Sequence, residues 1–261
     1  MTMQAVRILA SQNMVSYRVP QSLIIKESYP LPAYSTVIGM VHAACGFTKL
    51  VPMQVSIQGS FASSVKELYT RYEFGRNTKY EAARHQVKLQ GKNGVYGMTR
   101  GPGSIELLTD VRLLLHIIPK DDSICETIAK GMLNPKKYLS LGRWEDLLRV
   151  DDVRITELRE ETVSEDTLNL DCSAWIPVQI EETLKKTVRS GFMPSGTCYR
   201  LNKTYNISDL GLRSWKERVS ARYAGRGTMI GKGGRLLMDR LPIMCKDMPY
   251  YNEGIIPVFP A

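Results

Sequence analysis

Residues 29–47 read YPLPAYSTVIGMVHAACGF, and the way this stretch folds decides the rest of the N-terminal half. Pro30 and Pro32 fix their own φ and push the residues before them into extended backbone, so the chain arrives straight and a helix begins only afterwards. Ser35 is the expected N-cap. Val37, Met40, Val41 and Ala44 then recur at i, i+3, i+4 and i+7, the apolar stripe of a helix of about three turns. Gly46 suits the position just past the last turn, with Phe47 beyond it. Gly39 and Ala43 are small enough to admit a neighbouring backbone. His42 reads as a hydrogen-bonded helix-face residue.

Working outward, MQAVRILA (3–10) reads as a strand, and NMVSYRVP (13–20) stays extended as far as Pro20. QVSIQGSFA (54–62) alternates Val55, Ile57 and Gly59 and gives a second strand, so the chain opens as the β-α-β of a ferredoxin-like split βαβ unit. SIELLTDVRLLLHIIP (104–119) is a long strand with Val111, Leu113, Leu115 and Ile117 on one face, ended by Pro119. DDSICETIAKGML has an acidic first turn, Ile124 and Ile128 one turn apart and Gly131 near its end, and predicts a second helix. The acidic stretch 150–171 is expected to be a surface excursion, and CSAWIPVQI (172–180) a core strand. Beyond it the order of elements is unassigned. The expected organisation is one elaborated α+β domain over 1–261: a core over about 1–180, a hairpin inserted at 66–104, and a basic C-terminal extension over 181–261.

The chain is long enough, at 261 residues, to bury a core without staples. Its five cysteines are far apart, without a C-x-x-C pair or neighbouring histidines, which argues against a zinc site or a disulfide framework and for a reducing, cytoplasmic setting. No segment reaches the roughly 18 apolar residues of a membrane helix, so a soluble protein is expected. The net charge of +9 is segregated. Residues 66–100 hold eight Lys/Arg against three Asp/Glu, residues 200–246 hold eleven against three, and the remainder is net acidic. Clustered cations gain affinity for a polyanion by releasing its condensed counterions.

Within the first basic window, Arg71, Arg76, Lys79, Arg84 and Lys88 are interleaved with Tyr69, Tyr72, Phe74 and Tyr80. That mixture suits single-stranded nucleic acid, where cations meet phosphates and rings stack on unpaired bases. The alternative is an exposed hairpin whose rings pack on a neighbour. GRGTMIGKGGR (225–235) fails the spacing of a phosphate-binding P-loop. Arg226, Lys232 and Arg235 among its glycines suit either a loop following a nucleic-acid backbone or a mobile loop. Of the three histidines, His85 is the candidate to deprotonate a ribose hydroxyl or to contact phosphate. No carboxylate cluster suggests a metal, and no cofactor is implied.

YPLPAYSTVIGMVHAACG (29–46), followed by YLSLGRWEDL (138–147), resembles the fifth family of CRISPR-associated proteins in the RAMP superfamily. With SYRVP (16–20), the resemblance touches most of residues 1–150 and is nearest to the type I-B branch. It implies a ferredoxin-like, RRM-like core with a β-hairpin thumb, and a place in the Cascade interference complex. There the family member caps the 5′ repeat-derived handle of the CRISPR RNA, contacts the large subunit and the backbone RAMP subunit, and meets target DNA through the complex. The RNA-binding positions that follow are Arg18, Ser35, Thr36, Arg71, Arg76, Lys79, Tyr80, Arg84, His85, Lys88, Arg100, Arg143, Arg226 and Lys232. Among them, the first helix is expected to offer an anion the N–H groups of Thr36 and Val37. Arg143 either contacts phosphate or pairs with Glu145 or Asp146. One branch of the family cleaves precursor RNA with Tyr, Lys and His. This sequence shows no convincing Lys-His counterpart, so a binding role is expected, with a metal-independent endoribonuclease as the alternative and an unrelated basic scaffold as a third reading.

Overall fold

The structure, a computed structural model, describes residues 2–75, 78–164, 167–188, 195–243 and 255–261. The chain runs β1 (Thr2–Val15), β2 (Ile25–Lys26), α1 (Tyr34–Cys45), β3 (Met53–Ser60), β4 (Ser63–Glu73), β5 (Val87–Gly91) and β6 (Gly94–Pro119). A 3-10 turn (Asp122–Ile124) leads into α2 (Cys125–Leu133), β7 (Arg149–Thr162), β8 (Thr167–Asn169), β9 (Ser173–Pro177) and α3 (Val178–Thr187). The remainder is β10 (Cys198–Ile207), β11 (Arg213–Ala224), β12 (Met229–Gly231), β13 (Arg235–Asp239) and β14 (Ile256–Val258). The main sheet has the order β10-β11-β9-β3-β6-β1-β7-β13-β14, and its pairings along that path are antiparallel.

The two prolines act as the sequence implies: α1 starts just after them and lays Val37, Met40, Val41 and Ala44 into the core. Its N-cap is Ala33, with φ −72° and ψ 154° and no side-chain cap bond, so Ser35 lies inside the first turn and does not cap it. Gly46 takes the left-handed conformation, φ 70°, and returns its N–H to the His42 carbonyl. The close helix approach falls elsewhere than expected. Nothing lies within 4 Å of a Cβ placed at Gly39, whereas one at Gly131 of α2 would meet Cys45 Sγ at 2.6 Å. The small residue that matters for α1·α2 packing is on the partner helix.

A further expectation is corrected. Residues 150–162 are not a surface excursion, because they belong to β7, which pairs with the central strand β1. Thr156 and Leu158 are buried there. The acidic residues instead pair with arginines two positions away on the same strand face: Arg149 with Asp151, Arg154 with Asp152 and Arg159 with Glu157. The basic C-terminal extension, whose order of elements the sequence left unassigned, joins the same sheet. β10 and β11 extend one side of the main sheet through β9, and β13 and β14 extend the other through β7. Trp175 of β9, fully buried, ties that side to α1's entry by donating from Nε1 to the Pro32 carbonyl at 3.0 Å.

The C-terminal strands are anchored to the centre by a buried polar cluster. Arg7 (β1) and His116 (β6) both donate to Asp239 Oδ2 at 3.0 Å, and Thr156 (β7) donates to Oδ1 at 2.6 Å. Burial disfavours the charged carboxylate. The His116 and Thr156 bonds and the Leu241 N–H overcome it and hold Asp239 down at about 2. His116 is itself pushed below its ordinary value by burial, which the bond to Asp239 only partly offsets. No helix among the described residues is long and apolar enough to cross a membrane.

Candidate nucleic-acid interface

β6 changes partners along its length. Residues 112–117 lie between β1 and β3; past Asp110, which takes φ 49°, β4 replaces β3, the pairing with β1 ends at Leu108, and the first residues of β6 pair with β4 and β5. The result is a long ribbon with polar residues on both faces. Its glycines are slots for rings. A Cβ at Gly103 would lie 2.9 Å from the Tyr69 ring, directly across the ladder, and one at Gly97 would lie 2.3 Å from the His85 ring. Larger residues at either position would evict the ring.

The ribbon brings together much of what the sequence singled out. Lys79, Tyr80 and Lys88 line one groove of about 440 Å³ with Tyr96, and Lys88 Nζ stands 5.5 Å above the Tyr80 ring. A second groove, about 570 Å³, is bounded by Tyr72, Phe74, Arg84 and His85. Tyr72 and Phe74 are 53% and 73% exposed, so among the described residues no element covers these rings. Arg71 pairs with Glu73 at 3.2 Å, and the Arg100 backbone N–H donates to Gln86. Arg76 lies outside the described residues.

His85 is buried, with Nδ1 accepting from the Glu81 N–H at 3.0 Å, which makes it a keystone of the ribbon. His42 is engaged at both nitrogens, by the Ile38 carbonyl and the Val51 N–H. His116 is enclosed with Asp239.

Arg143 sits on a turn that the motif SLGR-x-E builds. Asp146 accepts from the Ser16 and Arg143 backbone N–H groups at 3.0 and 2.8 Å and takes Nε and Nη2 of the Arg143 guanidinium. Gln12 Nε2 donates to the Leu141 and Asp146 carbonyls. Gly142 has φ 112°, and a Cβ there would press on Val15, Asp146 and Ser16. Burial opposes the Arg143 charge, but Asp146, Glu145 and Glu67 raise its pKa above the ordinary arginine value. The intramolecular pair considered for Arg143 is therefore formed, and Gly142, packed against Val15 opposite Leu108 of β6, places this turn beside the ribbon's base. Arg18, exposed on the following loop, bridges to Ser28, whose N–H donates to Glu106 of β6. Arg18, Arg143 and the ribbon's base thus share one end of the sheet.

The remaining positions lie elsewhere. The Thr36 and Val37 N–H groups both donate to the Ala33 carbonyl, at 3.0 and 3.3 Å, so they do not form the expected anion site, and Ser35 is half-buried beside them. Arg226 and Lys232 are exposed around the small β8-β12 pair, where Gly227 and Gly233 adopt positive φ in hydrogen-bonded turns. Sequence reading missed Lys26, whose Nζ lies 4.6 Å above the Tyr69 ring. Only the parallel β2·β6 pairing creates that contact, and no local signal announces it.

Over residues 7–224 the chain matches the family model described as CRISPR-associated protein (Cas_Cas5). No curated protein matches it. Among solved structures, a chain of a "CRISPR RNA-guided surveillance complex" is similar at 15% identity and TM-score 0.52, over 85% of this chain and 91% of that one. "A CRISPR protein from Archaeoglobus fulgidus" matches at 11% identity and TM-score 0.45, over 98% of this chain and 100% of that one.

Proposed function

The chain belongs to the family described as CRISPR-associated protein (Cas_Cas5), and from that membership we propose that it is a non-catalytic CRISPR RNA-binding subunit of a type I interference complex of the I-B branch. In this reading it caps the 5′ repeat-derived handle, contacts the large subunit and the backbone RAMP subunit, and meets target DNA only through the complex. The observation that carries the reading is the ribbon built by β4, β5 and β6, where Lys79, Tyr80 and Lys88 stand together and exposed rings remain without a partner element. Phosphate neutralisation and base stacking need that pairing of groups. The path β1-α1-β3-β6-α2-β7 with sheet order β3-β6-β1-β7 supports a ferredoxin-like core, with the ribbon as its thumb.

A binding role without chemistry is supported by the histidines. His42 and His116 have their rings taken up by internal bonds or burial, and His85 spends Nδ1 on the ribbon's own turn. A general base must reach the hydroxyl it deprotonates. The test is reconstitution with repeat-containing RNA and the partner subunits in EDTA. The handle should be recovered intact and protected from added ribonuclease only when this chain is present. A discrete product ending in a 2′,3′-cyclic phosphate would instead establish the endoribonuclease.

A further inference from the structure

The SLGR turn carries a surface that its own folding does not explain. The Leu148 N–H donates to the Leu139 carbonyl and Ser140 bridges Leu147, so residues 138–140 and 147–148 form a short antiparallel ribbon. Alternation sends Leu139 and Leu148 into the core and leaves Tyr138 and Leu147 on the outer face. Trp144, at the tip, lies against Tyr138 with ring centroids 6.2 Å apart and planes at 54°. Trp144 is 76% exposed and Tyr138 61%, whereas Trp175 is fully buried and Trp215 is 39% exposed. The turn beneath is held rigid by Asp146, Gln12 and Gly142, so these rings are fixed in water without having been driven there by flexibility.

The surroundings favour a polyanion. Lys137 and Arg143 immediately precede the two rings in sequence, and Lys137 is exposed and in no ion pair with a described residue, whereas the Lys136 side chain lies over Gly46 at the end of α1. A protein-binding core would be depleted in lysine, while aromatic faces among cations match single-stranded nucleic acid. A Cβ at Gly142 would lie 2.7 Å from Val15, which pairs with Leu108 of β6, so the turn stands beside the base of the basic ribbon.

We infer that Trp144 and Tyr138 form a stacking platform for one unpaired nucleobase of single-stranded RNA, with Lys137 contacting a flanking phosphate. This site rests on the reading of the chain as an RNA-binding subunit. The preformed turn means that the base stacks without ordering the protein, so the contact contributes nearly its full stacking energy.

The test uses the full chain and a short fluorescein-labelled single-stranded RNA, titrated at several salt concentrations. Trp144→Ala should weaken binding about 5- to 150-fold, the loss of one base–aromatic stack, with an unchanged salt slope. Trp144→Phe should retain most of the affinity. Lys79→Ala/Lys88→Ala serves as the comparison for the ribbon and should lower the slope by about 1.4. Wild-type affinity in Trp144→Ala beside a reduced slope in the lysine variant overturns the platform and leaves the RNA-binding reading standing. No binding by the wild-type chain overturns both. If Trp144→Ala binds RNA normally but loses a co-purifying protein subunit, the surface is a protein contact and the proposal fails.

Discussion

The two halves of β6 obey different rules. From Val111 to Pro119 nearly every side chain is buried, with β1 on one side and β3 on the other, and even its histidine is spent on an internal carboxylate. From Gly94 to Ser104 the strand pairs with β4 and β5, carries four glycines and leaves Arg100 in water, before Ile105, Leu107 and Leu108 return to the interior. One continuous backbone therefore supplies both the structural centre and the proposed binding surface, with Asp110 near the change of regime. Variants in the inner half should move stability and leave RNA affinity per folded molecule alone. Variants in the outer half should do the reverse.

The largest effect is expected for Asp239→Ala, which strips the inner half of its counter-charge and leaves the Arg7 guanidinium buried and unpaired. The cost should be about 3–5 kcal/mol in urea unfolding, and a loss below 1 kcal/mol would show that water reaches the cluster. In the outer half, Tyr80→Ala should cost about 1–3 kcal/mol of single-stranded RNA binding at an unchanged melting temperature. A lowered melting temperature would mean that Tyr80 belongs to the structure of the ribbon more than to its surface.

The inner half should also respond to pH. Burial holds His116 below its ordinary pKa, so the unfolded chain takes up a proton near the usual histidine value of about 6.5 when the folded chain does not. Stability is then complete above that pH and falls as pH drops through the window beneath it. Asp239, held at about 2 against an ordinary 3.8, adds a second loss confined to that more acidic interval. Unfolding free energies measured between pH 7 and 5 should decline for the wild type and flatten in His116→Gln. A decline that persists in the variant would assign it to other groups. The smallest effect belongs to Ser35→Val, which should stay within about 0.5 kcal/mol because Ser35 caps nothing. A loss of about 1 kcal/mol would restore it as the cap.

What the sequence disclosed follows the range of each interaction. α1, the strand over 104–119 and the left-handed Gly46 were legible because prolines, apolar spacing and a terminal glycine act within a few residues. β7 was misread because its charges suggested solvent, when the pairs two residues apart reveal a strand with one wet face. The elements after 180 were unassigned because their order is fixed by pairing with strands far away in the chain. At the site, the alternation of rings and cations pointed to the ribbon. The roles of Gly97 and Gly103, and the contact of Lys26 with Tyr69, depend on cross-strand register that composition does not encode. Trp144 stood within a quoted motif and still escaped notice, since exposure is not written in sequence.

The bond from Arg7 to Asp239 spans 232 residues, and during synthesis this separation becomes a delay. At about 5–20 residues per second, the first strand waits roughly 10 to 50 s on the ribosome for its carboxylate to emerge. β3, β6 and β7 are all available before then. The charge of a strand at the middle of the sheet thus stays hydrated until a residue more than two hundred positions later has been made. A nascent chain arrested before residue 239 should hold β1 loosely, with amides of Val6 to Leu9 exchanging quickly in pulse-labelling, and a chain released past it should protect them.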